Sequence, residues 1–411
     1  MSASHPAAAV AAAVQSGQIV QRLLLGLLFV AVFSSFFVYI EPAPYEALVG
    51  LLALVALAAG LKLDRRLLPL IVLLLIWNLA GLAALVPVLH DPDAVTFMAV
   101  SFYLAGTGIL FACFLGEDIT RRLAVLRSAY MLAAVAAALI GLGVYFRVLP
   151  GFEETGGRMQ STFKDPNVFG PFLVLPLLFL VDTVLRRGFS VVSLIASLIL
   201  LSALFLSFSR GAWAHFIISA ALTVALMFLT SNDWRFRARV VAFTLVAAVA
   251  GIALLAALLS FDTVGAMFEE RASLLQSYDA GDGGRFDRQI EGLTALLDHP
   301  LGLGPLQFGA RYGGDPHNVY LNAFVSYGWI GGIVYLILVL TTLLVGLRAV
   351  FVRTPWQPYL ILVFAAFAGA AAEGIVIDTD HWRHFYLLLG LVWGLSAATA
   401  RARAAVRFDY R

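Results

Sequence analysis

Positively charged residues between apolar stretches are the groups in this chain that could do chemistry. Arg210 stands in Ser209-Arg210-Gly211, a short turn between two apolar runs. An arginine at such a position lies at or just inside a membrane interface, where an uncompensated cation is costly and often functional. Its guanidinium could bind an anion such as phosphate, or it could simply extend to the lipid headgroups.

Arg285 and Arg288 form a second candidate anion site. They open a segment, 285–297, whose apolar residues follow a helical period. Because they are three residues apart, both side chains can lie on one face of a helix. Guanidinium suits phosphate, since its planar fork donates two hydrogen bonds and keeps its charge. The alternative is a solvated face on which both arginines pair with neighbouring acidic residues.

The segment 158–167 is a third candidate, because it carries Arg158 and Lys164 directly before an apolar run. Pro166 after Asp165 favours a helix start, and the unpaired N–H groups of a helix start attract anions. The alternative is an ordinary turn and helix cap.

His317 is the candidate proton acceptor. It stands with Asn318 at the start of another apolar run, and its side chain titrates near neutral pH. With phosphate-suited arginines on the same side, it would supply the base that glycosyl transfer from a pyrophosphate carrier needs. A structural role at the interface is the alternative.

Other chemical signals are weak. The sequence contains no nucleotide-binding lysine loop and no complete dinucleotide fingerprint. His381 and His384 beside Asp378 and Asp380 resemble a metal site, but polar capping of the last apolar run is the favoured explanation. Cys113 is the single cysteine, and its apolar surroundings indicate a buried side chain.

The composition places these residues in a membrane protein. Of 411 residues, 61% are hydrophobic and 13% charged, and the mean hydropathy is +0.92. These values exclude a soluble enzyme. Runs long enough to cross a bilayer predict about twelve transmembrane helices, at 19–40, 45–61, 67–88, 94–115, 126–145, 168–185, 191–208, 212–230, 240–260, 319–347, 358–375 and 385–399.

The distribution of basic residues predicts the orientation. With both termini in the cytoplasm, 18 of the 27 Lys and Arg residues lie on the inside and 9 on the outside. This bias supports that orientation. The predicted parts are a cytoplasmic tail, transmembrane helices 1–9, a periplasmic loop with a short amphipathic helix, transmembrane helices 10–12 and a basic cytoplasmic tail, at 1–18, 19–260, 261–318, 319–399 and 400–411 respectively.

In order and spacing, these motifs resemble bacterial O-antigen ligases and Wzy-type polysaccharide polymerases. The chain departs from the family pattern at Ser161, where glycine is frequent, and at Gln289, where tryptophan is frequent; neither change removes a charged group. The resemblance rests on the twelve spans, the long loop between the ninth and tenth, the segment 158–167, Ser209-Arg210-Gly211, Gly284-Arg285 ahead of the glycine-rich 300–304, and His317-Asn318 ahead of Gly328.

The resemblance implies a GT-C-like glycosyltransferase of the bacterial inner (cytoplasmic) membrane, acting at the periplasmic face. The donor would be a glycan on undecaprenyl diphosphate, held by Arg210 and Arg285. His317 would be the general base, and supporting contacts would come from Arg158, Lys164, Arg288 and Asn318. Fixed cations can stabilise the leaving diphosphate, so neither a cofactor nor a metal ion is implied.

The acceptor and two rival functions stay open. The acceptor is lipid A core in a ligase and the next lipid-linked glycan in a polymerase, for lipopolysaccharide or exopolysaccharide biosynthesis. The chief rival is a transporter or flippase of a lipid-linked glycan, and a scaffold is the other. A transporter should carry charges near the membrane midplane, where Glu373 is the main exception to an otherwise one-sided distribution; Gly369 and Gly374 could instead indicate close packing, with Glu373 reaching a partner. The net charge of +2 gives no indication of a nucleic-acid partner.

Overall fold

The computed structural model describes residues 6–116, 118–150, 156–272 and 284–409, with 6–16, 272, 285 and 406–409 described by their backbone alone. The protein is 79% helical, and the described residues contain no β-strand. This confirms the prediction of an all-α protein.

The described helices follow one another with short connections. Two 3₁₀ turns, Arg65–Leu67 and Val86–Val88, flank the third helix. The α-helices are α1 (Pro6–Ser34), α2 (Pro44–Ala58), α3 (Leu68–Leu85), α4 (Pro92–Phe114), α5 (Ile119–Tyr145), α6 (Pro166–Phe172), α7 (Val174–Arg187), α8 (Val191–Leu206), α9 (Arg210–Thr230), α10 (Trp234–Leu259), α11 (Asp262–Ala272), α12 (Arg285–Asp298), α13 (Gln307–Tyr312), α14 (Val319–Val350), α15 (Gln357–Glu373) and α16 (Arg383–Asp409).

Nine helical stretches in the described chain are long and apolar enough to cross a membrane. The other three predicted spans correspond to the shorter apolar helices α2, α8 and α15. α10 exposes Leu245, Val249 and Ile252 by 65%, 68% and 68%. A face of this kind suits lipid. The total of twelve spans stays a prediction.

The ends of the chain differ from the predicted boundaries. α1 already begins at Pro6, within the segment predicted as a tail, and α16 continues to Asp409, beyond the predicted end of the last span at 399. Both extensions are rich in alanine, a strong helix former, so the helices continue past their most apolar parts.

The sixth predicted span is divided in two. Asp165 caps α6, because its side chain accepts a hydrogen bond from the Asn167 N–H at 2.7 Å. Pro171 lies inside α6, which ends at Phe172, and α7 begins at Val174. Proline removes a backbone donor and crowds the preceding turn, which explains an interruption here.

Helices α9 and α15 pack closely through small residues. A Cβ atom on Gly369 would overlap Ser219 and His215 of α9. Ser219 Oγ donates a hydrogen bond to the Ala365 carbonyl at 2.9 Å. Small residues allow helix backbones to approach within a membrane, and here they bring polar groups of two helices into contact.

The glycine-rich segment 300–304 packs against α14 and is hydrogen-bonded to it. Gly328 interrupts α14 with φ 71° and ψ −173°. A Cβ atom there would lie 2.6 Å from Pro300 O, while Trp329 N donates to the same oxygen at 2.9 Å. Leu303 N donates to Val325 O at 2.7 Å. Only glycine fits this kink, because it combines a positive φ with no space for a side chain.

The long loop contains more helix than expected. The segment 285–297, predicted as an amphipathic helix, lies within α12. α11 and the short α13 were not predicted. α12 lies against α14, where Trp329 Nε1 donates to Leu296 O at 2.8 Å and Gly292 contacts Leu321. α12 therefore has a fixed position beside the N-terminal half of α14.

Candidate functional site

Three arginines from separate segments line one small cleft. Arg158 precedes α6, Arg210 begins α9, and Arg271 lies at the end of α11. We call this the arginine cleft; its volume is about 80 Å³, and its other lining residues are Asn167, Phe208, Ser209, Gly211, Glu373, Val376 and Ile377. Guanidinium groups around one small space suit a multiply charged anion.

Arg158 is held from two sides. Its Nε donates to Ser207 O at 3.0 Å, and its Nη2 donates to Asn167 Oδ1 at 2.7 Å. The next residue, Met159, donates its backbone N–H to Leu206 O at 2.9 Å. These bonds attach the segment before α6 to the end of α8, and this fixes the position of Arg158 beside Arg210.

Arg210 is positioned by a capped helix start. Ser209 caps α9 by accepting a hydrogen bond from Ala212 N at 3.3 Å. The turn is supported by stacked aromatic rings, since Phe205 and Trp213 stack at 5.2 Å and both contact Phe268 of α11. The same cluster anchors α11 and so brings Arg271 to the cleft.

Glu373 forms the wall of the arginine cleft and has a buried partner. Its Oε2 lies 2.8 Å from His215 Nδ1, and both side chains are 0% exposed. His215 Nε2 lies 2.9 Å from the carbonyl oxygen of Ala366. Because a carbonyl only accepts, Nε2 carries a hydrogen, and one proton is shared between Nδ1 and Oε2. The pair is therefore neutral as a whole.

The other oxygen of this carboxyl group faces the start of α9. Glu373 Oε1 is buried and makes no hydrogen bond to the described part of the chain. It would lie 2.9 Å from a Cβ atom on Gly211, the residue after Arg210. Sequence reasoning noted Glu373 but not His215 or Arg271. The sequence signal for the Glu373–His215 pair was the presence of a polar residue within each of two apolar helices.

A second group of charged side chains surrounds His317. A Cβ atom on Gly314 would overlap the Arg288 guanidinium, so α12 contacts the loop that carries His317. Burial raises the pKa of the nearby Asp315 carboxyl above its usual range, and the negative charge of Asp380 adds to this, while His317 and Arg288 act in the opposite direction. His317 has φ +48°, an uncommon conformation for a residue other than glycine.

Asn318 has a structural task in addition to any contact with substrate. Its Oδ1 accepts hydrogen bonds from Tyr320 N and Leu321 N, both at 3.1 Å, so it caps α14. Val319 N donates to Gly374 O at 2.8 Å. The cap thereby holds the His317 loop against the end of α15, next to Glu373.

Lys164 lies apart from the arginine cleft. Its Nζ forms an ion pair with Glu41 Oε2 at 2.8 Å, and it lines a different cleft of about 150 Å³ together with His381, Arg383 and His384. Of the supporting residues predicted from sequence, Arg158 lines the arginine cleft and Arg288 lies beside the His317 loop. The backbone of Arg285 begins α12, and its side chain lies outside the described residues.

A third cavity, of about 190 Å³, lies beside the His317 loop. Trp77 Nε1 and Tyr327 Oη, both buried, line it without a hydrogen bond to a described residue. We call this cavity the acidic chamber, because Asp315, Asp378 and Asp380 line it together with Phe97, Leu306, Phe308, Asn322, Ala323, Ser326, His381 and Trp382.

The turn between α15 and α16 separates the two sites. Val376 and Ile377 line the arginine cleft, whereas Asp378 and Asp380 line the acidic chamber. A cationic site and an acidic, aromatic site therefore lie on opposite sides of one short segment.

Comparison with known proteins gives one family match. Residues 195–336 match the family model described as O-antigen ligase. This supports the resemblance found in the sequence, and the matched segment includes Arg210, Arg285, Arg288 and His317. Arg158 and Glu373 lie outside it. No curated protein sequence matches the chain.

Proposed function

We propose that this protein, similar over 195–336 to O-antigen ligases, transfers a glycan from a lipid diphosphate to an acceptor sugar at the periplasmic face of the bacterial inner membrane. The arginine cleft is the observation that carries the proposal. Arg158, Arg210 and Arg271 come from three distant segments and meet in one cleft. Guanidinium groups that converge on one space suit the phosphates of an anionic substrate.

The donor would be a glycan on undecaprenyl diphosphate, with its diphosphate in the arginine cleft. Breaking the bond between the anomeric carbon and the phosphate oxygen leaves a lipid diphosphate with additional negative charge. Fixed guanidinium groups stabilise that charge without moving, which lowers the barrier. In this proposal the arginines supply the stabilisation, so the reaction requires no metal ion or cofactor. Arg285 would complete the diphosphate site.

The acceptor sugar would occupy the acidic chamber. Carboxylates, an amide and aromatic rings line that cavity, and these groups suit hydroxyl groups and sugar faces. His317 would take the proton from the acceptor hydroxyl as its oxygen attacks the anomeric carbon. A new carbon–oxygen bond forms while the bond to phosphate breaks on the opposite face, so the configuration at the anomeric carbon inverts.

The Glu373–His215 pair bears on the rival proposal of a transporter. Glu373 is the last residue of α15, and it lines the arginine cleft. Its pair with His215 is neutral as a whole. Transporters use ionisable groups near the midplane, where they change charge during the cycle. The position of Glu373 therefore favours a structural role for this residue in the arginine cleft over a role in transport.

The test is transfer by the purified protein in lipid vesicles. The donor is an undecaprenyl-diphosphate oligosaccharide, lipid A core is added to a parallel sample, and mass spectrometry follows glycan size and released lipid diphosphate. A ladder without core indicates a polymerase, and a single transfer that requires core indicates a ligase. No release of lipid diphosphate in either sample would contradict the proposal.

Three variants sharpen this experiment. Arg210→Ala should abolish release of lipid diphosphate, whereas Arg235→Ala, an exposed arginine at the start of α10, should leave it unchanged. Asp380→Asn should weaken use of the acceptor while binding of the donor persists. Full activity of Arg210→Ala would remove this arginine from the diphosphate site.

A further inference from the structure

A large cavity lies at the other end of the helix bundle. It measures about 400 Å³ and is formed by the segment 61–67 ahead of α3, the end of α4 and the middle of α16. Phe97, near the start of α4, lines the acidic chamber, whereas Cys113, near the end of α4, lines this cavity. Sixteen helical residues between them span about 24 Å. The cavity therefore lies near the opposite membrane face from the proposed transfer site.

The rim of this cavity is basic. Lys62, Arg65, Arg66 and Arg401 line it, with Asp64 as the one acidic residue among the lining side chains that the structure describes. We call it the basic pocket. The Arg65 side chain is exposed, whereas Arg66 and Arg401 form ion pairs with Asp64. Among the described side chains at the rim, four are basic and one is a carboxylate.

The ion pairs at the rim form a rigid frame. Arg401 donates to Asp64 Oδ2 through one nitrogen and to Gly116 O at 3.1 Å through the other. Asp64 Oδ1 also accepts from the Arg66 N–H at 2.9 Å. Partial burial alone would raise the pKa of Asp64, but these hydrogen bonds and the positive charges of Arg401 and Arg66 outweigh it and lower the pKa. The carboxylate therefore stays ionised and fixes α16 to the start of α3.

The floor of the basic pocket is apolar. Leu67, Ala112, Cys113 and Ala397 line it and are 1%, 2%, 7% and 6% exposed. Three of these side chains are small, which leaves space between the helices. A cationic rim above an apolar floor matches a molecule that carries a phosphate next to hydrocarbon.

We propose that the basic pocket binds an anionic phospholipid, with the headgroup phosphate at Lys62, Arg65 and Arg66 and the upper acyl region over the apolar floor. Basic pockets between transmembrane helices bind anionic lipid headgroups in this way. The general excess of Lys and Arg on cytoplasmic segments accounts for basic residues at this face. It does not account for a cavity of this size between them. The proposal is independent of the transferase activity.

The test is native mass spectrometry of the full chain, released from vesicles of phosphatidylcholine containing a minor fraction of phosphatidylglycerol. The wild-type protein should retain phosphatidylglycerol, and the triple variant Lys62→Gln, Arg65→Gln, Arg66→Gln should retain about tenfold less, because several cations act together on one phosphate. The control Arg187→Gln, Arg348→Gln, Arg353→Gln makes the same charge change at exposed residues of the same predicted face. It should retain the lipid as the wild type does.

Three further measurements test the proposal. Arg65→Gln alone changes one exposed side chain, so the fold should stay intact while retention still falls severalfold. Labelling of Cys113 by a neutral maleimide should slow when phosphatidylglycerol is present, in the wild type but not in the triple variant. Inorganic phosphate at millimolar concentration should not displace the lipid; displacement would indicate a site for soluble anions. Equal lipid retention by the two triple variants would overturn the proposal.

Discussion

Because His215 and Glu373 share one proton, two different substitutions of Glu373 should have different effects on stability. Glu373→Ala removes the partner of His215 Nδ1 in a fully buried place. An orphaned buried nitrogen costs about 1–3 kcal/mol, and the space left by the carboxyl group adds to this. We expect Glu373→Ala to lower the free energy of unfolding by about 3–5 kcal/mol in total, as when other buried pairs are broken.

Glu373→Gln should behave differently. Neutral His215 keeps its Nε2–H bond to Ala366 O, and the glutamine amide donates to Nδ1, so both hydrogen bonds persist without a net charge. The expected cost is below about 1 kcal/mol, similar to that of Ser219→Ala, which removes one neutral hydrogen bond between the same helices. Thermal unfolding of the purified proteins in lipid nanodiscs measures the relative stability of these variants. If the glutamine variant is as unstable as the alanine variant, the pair needs a full negative charge and the shared-proton reasoning is wrong.

Three other predictions follow from the described geometry. Gly328→Ala would place a methyl group against Pro300 O, and it should displace the outer loop, cost about 2 kcal/mol or more, and abolish transfer in the vesicle assay. Arg271→Ala should raise the donor KM about tenfold with less change in kcat, if this arginine binds the diphosphate in the ground state; an unchanged KM would contradict its place in the cleft. Asp315 has a raised pKa, so the folded state binds its proton more tightly than the unfolded state, and stability should fall as pH rises above 3.8 toward the raised value; Asp315→Asn should flatten that part of the curve of melting temperature against pH.

Local signals in the sequence were sufficient to predict the helices and one capped helix start. Asp165 before Pro166 indicates that start, because a cap depends on neighbouring residues alone. The apolar runs indicate the helices for the same reason, since lipid imposes a length and a composition on each span. The amphipathic period of α12 could also be read directly.

The partners across the fold could not be predicted in this way. His215 and Glu373 are 158 residues apart, and Lys164 pairs with Glu41 at a distance of 123 positions in the sequence. Sequence spacing does not specify which helices pack together, and one charged residue has many candidate partners. Lys164 was therefore grouped with Arg158 by proximity in sequence, whereas the structure places it in a different cleft.

The separation of the arginine cleft from the acidic chamber bears on the choice between ligase and polymerase. Both reactions use the same class of donor, so both need to bind a diphosphate in the same way. The arginine cleft therefore does not distinguish a ligase from a polymerase. The two reactions differ only in the acceptor. Under the proposed function, acceptor specificity should therefore depend on the chamber, through Asp378, Asp380 and their aromatic neighbours, while the cleft sets the rate of donor cleavage. The short turn after Glu373 contributes to both walls, so a change in its conformation would alter the position of the acceptor relative to the bond that breaks.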